Sequence, residues 1–170
     1  MKAFLIIGHT GRGKTTIVKK IISQFPDFKK MIYDVNNEYS EFGTKAPPPI
    51  YEFTAAAAKA INSVIVFEEA TIFFKHRTKG HDVQNILVRK RHTSNIVIFV
   101  FHSLRSVPLE ILDLIDYVYL LPTNDNINII ESKFSGNESI IEAFRKVHEQ
   151  SKGAKKGEFN YHAYKFFAPL

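Results

Sequence analysis

The segment Gly8-His9-Thr10-Gly11-Arg12-Gly13-Lys14-Thr15 constrains this chain more than any other. It reads G-x-x-x-x-G-K-[ST], and its flanks suit that pattern. Ala3-Phe4-Leu5-Ile6-Ile7 before it is a short apolar strand, and the residues after Thr16 place apolar side chains at 17, 18, 21 and 22, one face of a helix. Strand, glycine loop and helix start together make a phosphate cradle. Gly8, Gly11 and Gly13 let the backbone curl so that its N–H groups point inward, and the helix start adds the positive end of its dipole. In such a loop the lysine, here Lys14, reaches the β- and γ-phosphates, and the Thr15 hydroxyl is offered to Mg²⁺. The expected ligand is a nucleoside triphosphate, read as ATP with Mg²⁺, held by the loop from Gly8 through His9, Thr10, Gly11, Arg12, Gly13, Lys14 and Thr15 to Thr16.

The rest of the chain alternates apolar runs with helical or loop segments. Strands are expected at 31–34, 64–67, 96–101 and 117–121, and a further edge strand at 126–131. Three prolines make 43–50 a loop, after which Thr54 is expected to cap a helix over 55–61. Helices are also expected at 82–91, after Pro108, and from Asn137 to position 151, with Ile140, Ile141, Phe144 and Val147 on one face. Apolar strands alternating with helices predict an α/β fold, a mostly parallel sheet covered on both faces. At 170 residues this is one domain: a core at 1–125, and a strand, helix and tail at 126–170, with an aromatic, extended stretch from 159 to 167.

With no cysteine, disulfides, thiolate zinc sites and cysteine nucleophiles are excluded, which fits a reducing compartment. No apolar run approaches a membrane span, and Met1 to Ile7, already claimed by the first strand, is too short for a signal peptide. A net charge of +6 leans toward a polyanionic partner, although many basic proteins bind no nucleic acid.

A phosphate cradle alone binds; hydrolysis needs an acid to hold the metal and another group to orient water. The strand at 64–67 ends directly in Glu68-Glu69, at the strand end where ligands bind in such sheets. Glu68 is expected to hold Mg²⁺ and Glu69 to act as general base. The strand at 96–101 ends in His102, which is either a γ-phosphate sensor or a capped surface histidine.

Taken together, these residues resemble the FtsK–HerA superfamily of DNA-pumping ATPases. The run Arg89-Lys90-Arg91-His92-Thr93-Ser94-Asn95 leading into the strand at 96–101 and His102-Ser103 is similar to the family's arginine-bearing helix end, small-residue turn and sensor strand. Asp34-Val35-Asn36-Asn37-Glu38-Tyr39 resembles the HerA-type Asp-x-x-Gly-Glu-Tyr, and on that likeness Asp34 and Glu38 join the cofactor-binding set. The likeness covers residues 1–122, and the chain looks most like the genome-packaging ATPases of small icosahedral viruses with double jelly-roll capsids. It departs from the family in Glu68, where an aspartate is usual, and in His102, where a glutamine is commoner.

The resemblance implies a P-loop NTPase of the RecA-like kind with strand order 5-1-4-3-2. It implies a homo-oligomeric ring, read as a hexamer, with ATP between subunits and double-stranded DNA, bound without sequence preference, through the centre. A neighbour's arginine, Arg91 or Arg89 with Arg77 behind them, would stabilise the transferred phosphoryl group. Lys75, Arg77, Lys79 and His81 would face the pore and touch phosphates; Lys152, Lys155 and Lys156 would either extend that track or solubilise the tail. A capsid vertex as partner, and a place in the virion or the host cytoplasm, belong to the same implication. Two other readings fit the phosphate cradle. A nucleoside or nucleotide kinase would use Asp34, but has no need of Glu68-Glu69; a nucleotide-dependent assembly or morphogenesis factor is the other, and only as a non-hydrolysing scaffold would it leave Glu69 without a task.

Overall fold

The computed structural model describes residues 1–44, 46–74 and 77–151, with the side chains of 75–81 left aside. Its centre is a five-stranded, fully parallel sheet in the order β2-β3-β4-β1-β5, which is the expected order read from the other edge. The strands are β1 (Lys2–Ile7), β2 (Lys29–Tyr33), β3 (Ser63–Phe67), β4 (Ile96–Phe101) and β5 (Tyr117–Leu120). All residues of β3 and β4 are buried, which is why those runs carry no polar alternation. Successive side chains still divide between two faces. Leu5, Ile7, Ile65, Phe67, Val97, Phe99 and Phe101 form one core with the later helices. Phe4, Ile6, Val64, Val66, Ile98 and Val100 form the other, against Ile17, Val18, Ile21 and Ile22 of α1 (Lys14–Ser23).

The first core is strongly aromatic. Phe73 meets Tyr33 and Phe67 edge to face, each at a ring separation of 4.9 Å, and Phe67 stacks on Phe99 at the same distance. This cluster carries α2 (Ile50–Lys59), α3 (Thr71–Phe74) and α4 (Arg77–Arg89), with α5 (Ile127–Lys133) and α6 (Glu138–Ser151) beyond them. Among the described residues no helix is long and apolar enough to cross a membrane.

Two expected elements differ. Residues 126–131 belong to a helix: Asn126 caps α5 by accepting from the Asn128 amide at 2.9 Å, and Ile130, four residues before Phe134, points into the core. The short apolar run fits either period, and the asparagine cap decides for the helix. Thr54 does not start α2; the helix begins at Ile50, directly after Pro49, and the Thr54 hydroxyl donates to the Ile50 carbonyl inside the second turn. A proline at the start of a helix gives up no hydrogen bond, so the Pro-rich loop runs straight into α2. The stretch after Pro108 forms the expected short helix, of the 3-10 kind (Leu109–Leu114), and the helix from Glu138 is also as expected. The tail from 152 lies outside the described residues.

Asn95 ties the amino ends of the sheet to α2. Its side chain, 1% exposed, donates to the Ala60 carbonyl at 2.9 Å and accepts from the Ser63 amide at 3.0 Å. Asn95→Ala strands both groups away from water and is expected to cost about 2 kcal/mol or more in chemical denaturation.

Candidate active site

Order 2-3-4-1-5 reverses direction at β1, and ligands bind at the carboxyl ends of strands beside such a switch point. The loop from Gly8 continues the ladder on both sides of β1: the Gly8 amide donates to the Phe101 carbonyl at 3.0 Å, and the His9 amide to the Pro122 carbonyl at 2.9 Å. Gly8 has no space for a side chain, since a Cβ there would lie 2.7 Å from the Leu121 Cβ. Gly13, at φ +90°, starts α1 in the left-handed region that favours glycine. The loop is therefore held between the ends of β4 and β5, with α1 beginning at Lys14.

Around it lies a cavity of about 380 Å³. Thr10, Gly11, Gly13, Lys14, Thr15 and Thr16 form one wall, and Asn36, Glu38, Glu68, Glu69 and His102 the other. Its size is at the low end for ligand sites and suits a phosphate chain. A larger groove, about 710 Å³, lies at the amino ends of β1 and β5 among Phe4, Phe25, Phe28 and Tyr119, without a cluster of acids or histidines.

Lys14 is 6% exposed, and its ammonium donates to the His9 carbonyl at 3.3 Å and to Nδ1 of His102 at 3.2 Å. Burial pulls its pKa down, opposed by the charges of Glu68, Glu69 and Glu38. The other ring nitrogen of His102, Nε2, is hydrogen-bonded to Glu69. Because Nδ1 faces a donor, the arrangement places the ring proton on Nε2, toward the carboxylate. Glu69 sits at φ +55°, a conformation that costs a side-chain-bearing residue energy and gathers at functional sites. The Ala70 amide, bonded to the Val100 carbonyl at 2.9 Å, fixes that bend against β4.

Glu68 is 2% exposed and accepts from the Tyr39 hydroxyl at 2.7 Å. Burial pushes its carboxyl up to about 7, with the Tyr39 hydrogen bond pulling the other way. Tyr39 is wholly buried, and burial followed by the Glu68 charge raises its phenol. Thr15 donates to Glu38 at 2.9 Å. Thr15, Glu38 and Glu68 thus present hard oxygen donors to one corner of the cavity, the donor type that Mg²⁺ takes. Among the described residues no three acids or histidines converge as a preformed metal cage.

Asp34, expected among the cofactor ligands, is placed differently. It is 3% exposed, does not line the cavity, and accepts from the Glu38 and Tyr39 amides at 2.9 Å each and the Thr44 hydroxyl at 3.0 Å. An acid at a strand end can bind a ligand or cap its own loop; here it shapes the loop that carries Glu38 and Tyr39. Arg12 also stays outside the cavity wall, and exposed His9 turns its Nε2 to the Asn124 amide at 3.3 Å on the β5 side. Arg89 and Arg91 are exposed at the opposite end of the sheet. Lys75 lies outside the described residues; Arg77, Lys79 and His81 fall in the first turns of α4, where side chains are not described.

Sequence reasoning missed Asn36, the Tyr39–Glu68 bond and Asp125. The Asp125 carboxylate, 8% exposed by residue, takes the Ser103 hydroxyl at 2.6 Å and the Leu104 amide at 2.7 Å and so fixes the chain after His102. Tyr39 closes the Asp34–Tyr39 motif, whereas Asp125 lies in a loop whose sequence carries no motif.

The raised Glu68 pKa has a definite sign for stability. The folded chain holds an extra proton between about 4.5, the ordinary value, and about 7. Stability is therefore lost as pH rises through that window. Glu68→Gln is expected to match the parent at pH 5 and to exceed it at pH 8, on the order of 1–3 kcal/mol. Thermal unfolding in EDTA without nucleotide measures this.

A sequence profile described as "Helicase HerA, central domain" matches residues 1–167. No curated protein matches the sequence significantly. In structure the chain is similar to the genome-packaging NTPase B204 of Sulfolobus turreted icosahedral virus 2. The AMP complex of that protein gives a TM-score of 0.68 at 18% identity, covering 95% of this chain and 92% of that one. Its AMPPCP complex gives 0.68 at 19% identity, covering 91% and 88%. The DNA-packaging ATPase B204 from Sulfolobus turreted icosahedral virus gives 0.67 at 19% identity, again covering 91% and 88%. At such identities the structures establish a shared fold, and the profile, spanning nearly the whole chain, establishes the kinship: the chain belongs to the HerA central-domain family of FtsK–HerA P-loop ATPases.

Proposed function

We propose that this chain hydrolyses ATP and couples the reaction to moving double-stranded DNA, as an oligomeric ring that packages a viral genome. The observation that carries the reading is the line Lys14–His102–Glu69, which joins the phosphate cradle, the end of β4 and the acid after β3 through two direct contacts. A kinase does not need that line; a hydrolase does, because water must be oriented only when a γ-phosphate is present.

The loop amides and Lys14 would hold the phosphates, and Thr15 and Glu68, with Glu38 beside them, would hold Mg²⁺. Bound there, Mg²⁺ supplies neutralisation of charge on the β- and γ-oxygens. Lys14, now hydrogen-bonded to His102, would turn to the phosphates, and the freed Nδ1 of His102 would report on the γ-phosphate. Glu69, whose bent backbone aims it into the cavity, would accept the proton of the attacking water.

Arg89 and Arg91 cannot serve their own site. β4 separates them from it by six residues, roughly 20 Å of strand. They would act on a neighbour's nucleotide, which calls for a ring with ATP at the subunit boundary, read as a hexamer. The segment carrying Lys75, Arg77, Lys79 and His81 would touch DNA phosphates without reading bases. The packaging role, in the virion or at a capsid vertex in the host cytoplasm, is supported by the likeness to the viral packaging NTPases.

Steady-state ATP hydrolysis with and without double-stranded DNA tests this reading. Stimulation by DNA is expected, with Glu69→Gln lowering turnover on the order of 10²-fold or more while ATP binding persists. Hydrolysis indifferent to DNA but switched on by a nucleotide acceptor would replace the translocase with a kinase.

A further inference from the structure

Three consecutive cations, Arg89 at the end of α4 and Lys90 and Arg91 in the turn after it, are treated differently by the fold. Arg89 and Arg91 are exposed, and neither guanidinium makes a hydrogen bond or ion pair among the described residues. Lys90 between them is 6% exposed. Its ammonium pairs with Asp116 at 2.9 Å and donates to the Leu114 carbonyl. Asp116 in turn accepts from the Ala3 amide at 2.6 Å, at the start of β1. The turn that follows is equally fixed. The Asn95 amide donates to the Lys90 carbonyl at 3.0 Å, the Asn62 amide to the Thr93 carbonyl at 2.9 Å, and the Asn95 side chain bridges Ala60 and Ser63. Ser94 takes a left-handed φ of +56° within it.

A buried ammonium is a poor way to fill space: an apolar side chain of similar volume is often as stabilising or more so. What the Lys90 pair supplies is direction. It ties the end of α4 to β1 and to the entry of β5, while Asn95 ties the turn to α2 and β3. The two flanking arginines then leave the surface from a base anchored on four elements. A catalytic group misplaced by about 1 Å can lose on the order of 10²-fold in rate, so a cation that must reach another molecule's phosphates needs such a base.

We propose that Lys90 is a positioning residue: with Asp116 and Asn95 it forms a rigid seat that aims Arg89 and Arg91 at the nucleotide of a neighbouring copy. This rests on the proposed action of those arginines across the subunit boundary. Lys90→Met removes the ammonium and keeps the stem. Asp116→Asn keeps an acceptor for the Ala3 amide and weakens the pair, so it remains informative if the first variant folds poorly. Both are expected to bind a fluorescent ATP analogue within about twofold of the parent and to lose hydrolysis on the order of 10²-fold.

Mixed oligomers separate this from a merely structural role. A Lys14→Ala copy lacks the phosphate cradle but keeps the seat; a Lys90→Met copy keeps the cradle but lacks the seat. Co-expressed, they are expected to regain hydrolysis, because the first lends its arginines to the nucleotide of the second. An Arg89→Ala, Arg91→Ala double variant mixed with Lys14→Ala runs in parallel. Recovery in the arginine mixture without recovery in the Lys90→Met mixture overturns the seat and leaves the arginines in place. No recovery in either overturns action across the boundary, and the seat with it. Unchanged hydrolysis in both single variants also overturns the seat.

Discussion

The pairing of β1 between β4 and β5 holds the site together. Ile7 lies level with Phe101 on one side and Leu120 on the other, and the next two amides, of Gly8 and His9, extend the ladder to Phe101 and Pro122. The phosphate loop is thus the last rung of the sheet, and its position is inherited from a buried apolar strand. β4, lying between β1 and β3, carries His102 beside the loop and gives Ala70 the Val100 carbonyl that bends Glu69 inward. A slip of one residue in either pairing would exchange the two core faces. Register and site geometry are therefore one constraint, enforced by burial on both sides of the sheet.

The site concentrates charge that the fold would be more stable without. Lys14 and Glu68 are almost wholly buried, with Glu69 and Glu38 beside them. Each buried charge costs desolvation, offset in part by its neighbours. Burial shifts Lys14 and Glu68 toward their neutral forms, whereas phosphate oxygens and a divalent cation favour the charged ones. Asp34 anchors this arrangement from outside the cavity: three donors converge on its carboxylate, and the loop it shapes delivers Glu38 to Thr15 and Tyr39 to Glu68. Stability given up at a site of this kind is a common cost of function.

Much of this was legible in the sequence, for identifiable reasons. The glycine loop and its flanking strand and helix have fixed spacing, and β3 and β4 are continuous apolar runs ending in the residues that line the cavity. Glu68, Glu69 and His102 line the cavity because strand ends in such sheets face one side, where ligands bind. Legibility failed where a short segment fits two periods, as at 126–131, where a one-residue asparagine cap decides. It failed too where a polar residue works through long-range partners. Asp34 reads as a ligand by position and proves to be a loop anchor, and Lys90 reads as one more basic surface residue in a run of three. Asp125 has no local signature, because its donors, Ser103 and Leu104, lie more than twenty residues earlier.

Titration calorimetry of the protein with ATP, ADP and AMP in Mg²⁺, beside Lys14→Ala, asks whether the loop beginning at Gly8 recognises a chain of phosphates through Lys14. Affinity is expected to fall as each phosphate is removed, and ATP binding to be lost with the lysine. AMP binding as tightly as ATP, or a Lys14→Ala protein that binds ATP as the parent does, would contradict that recognition.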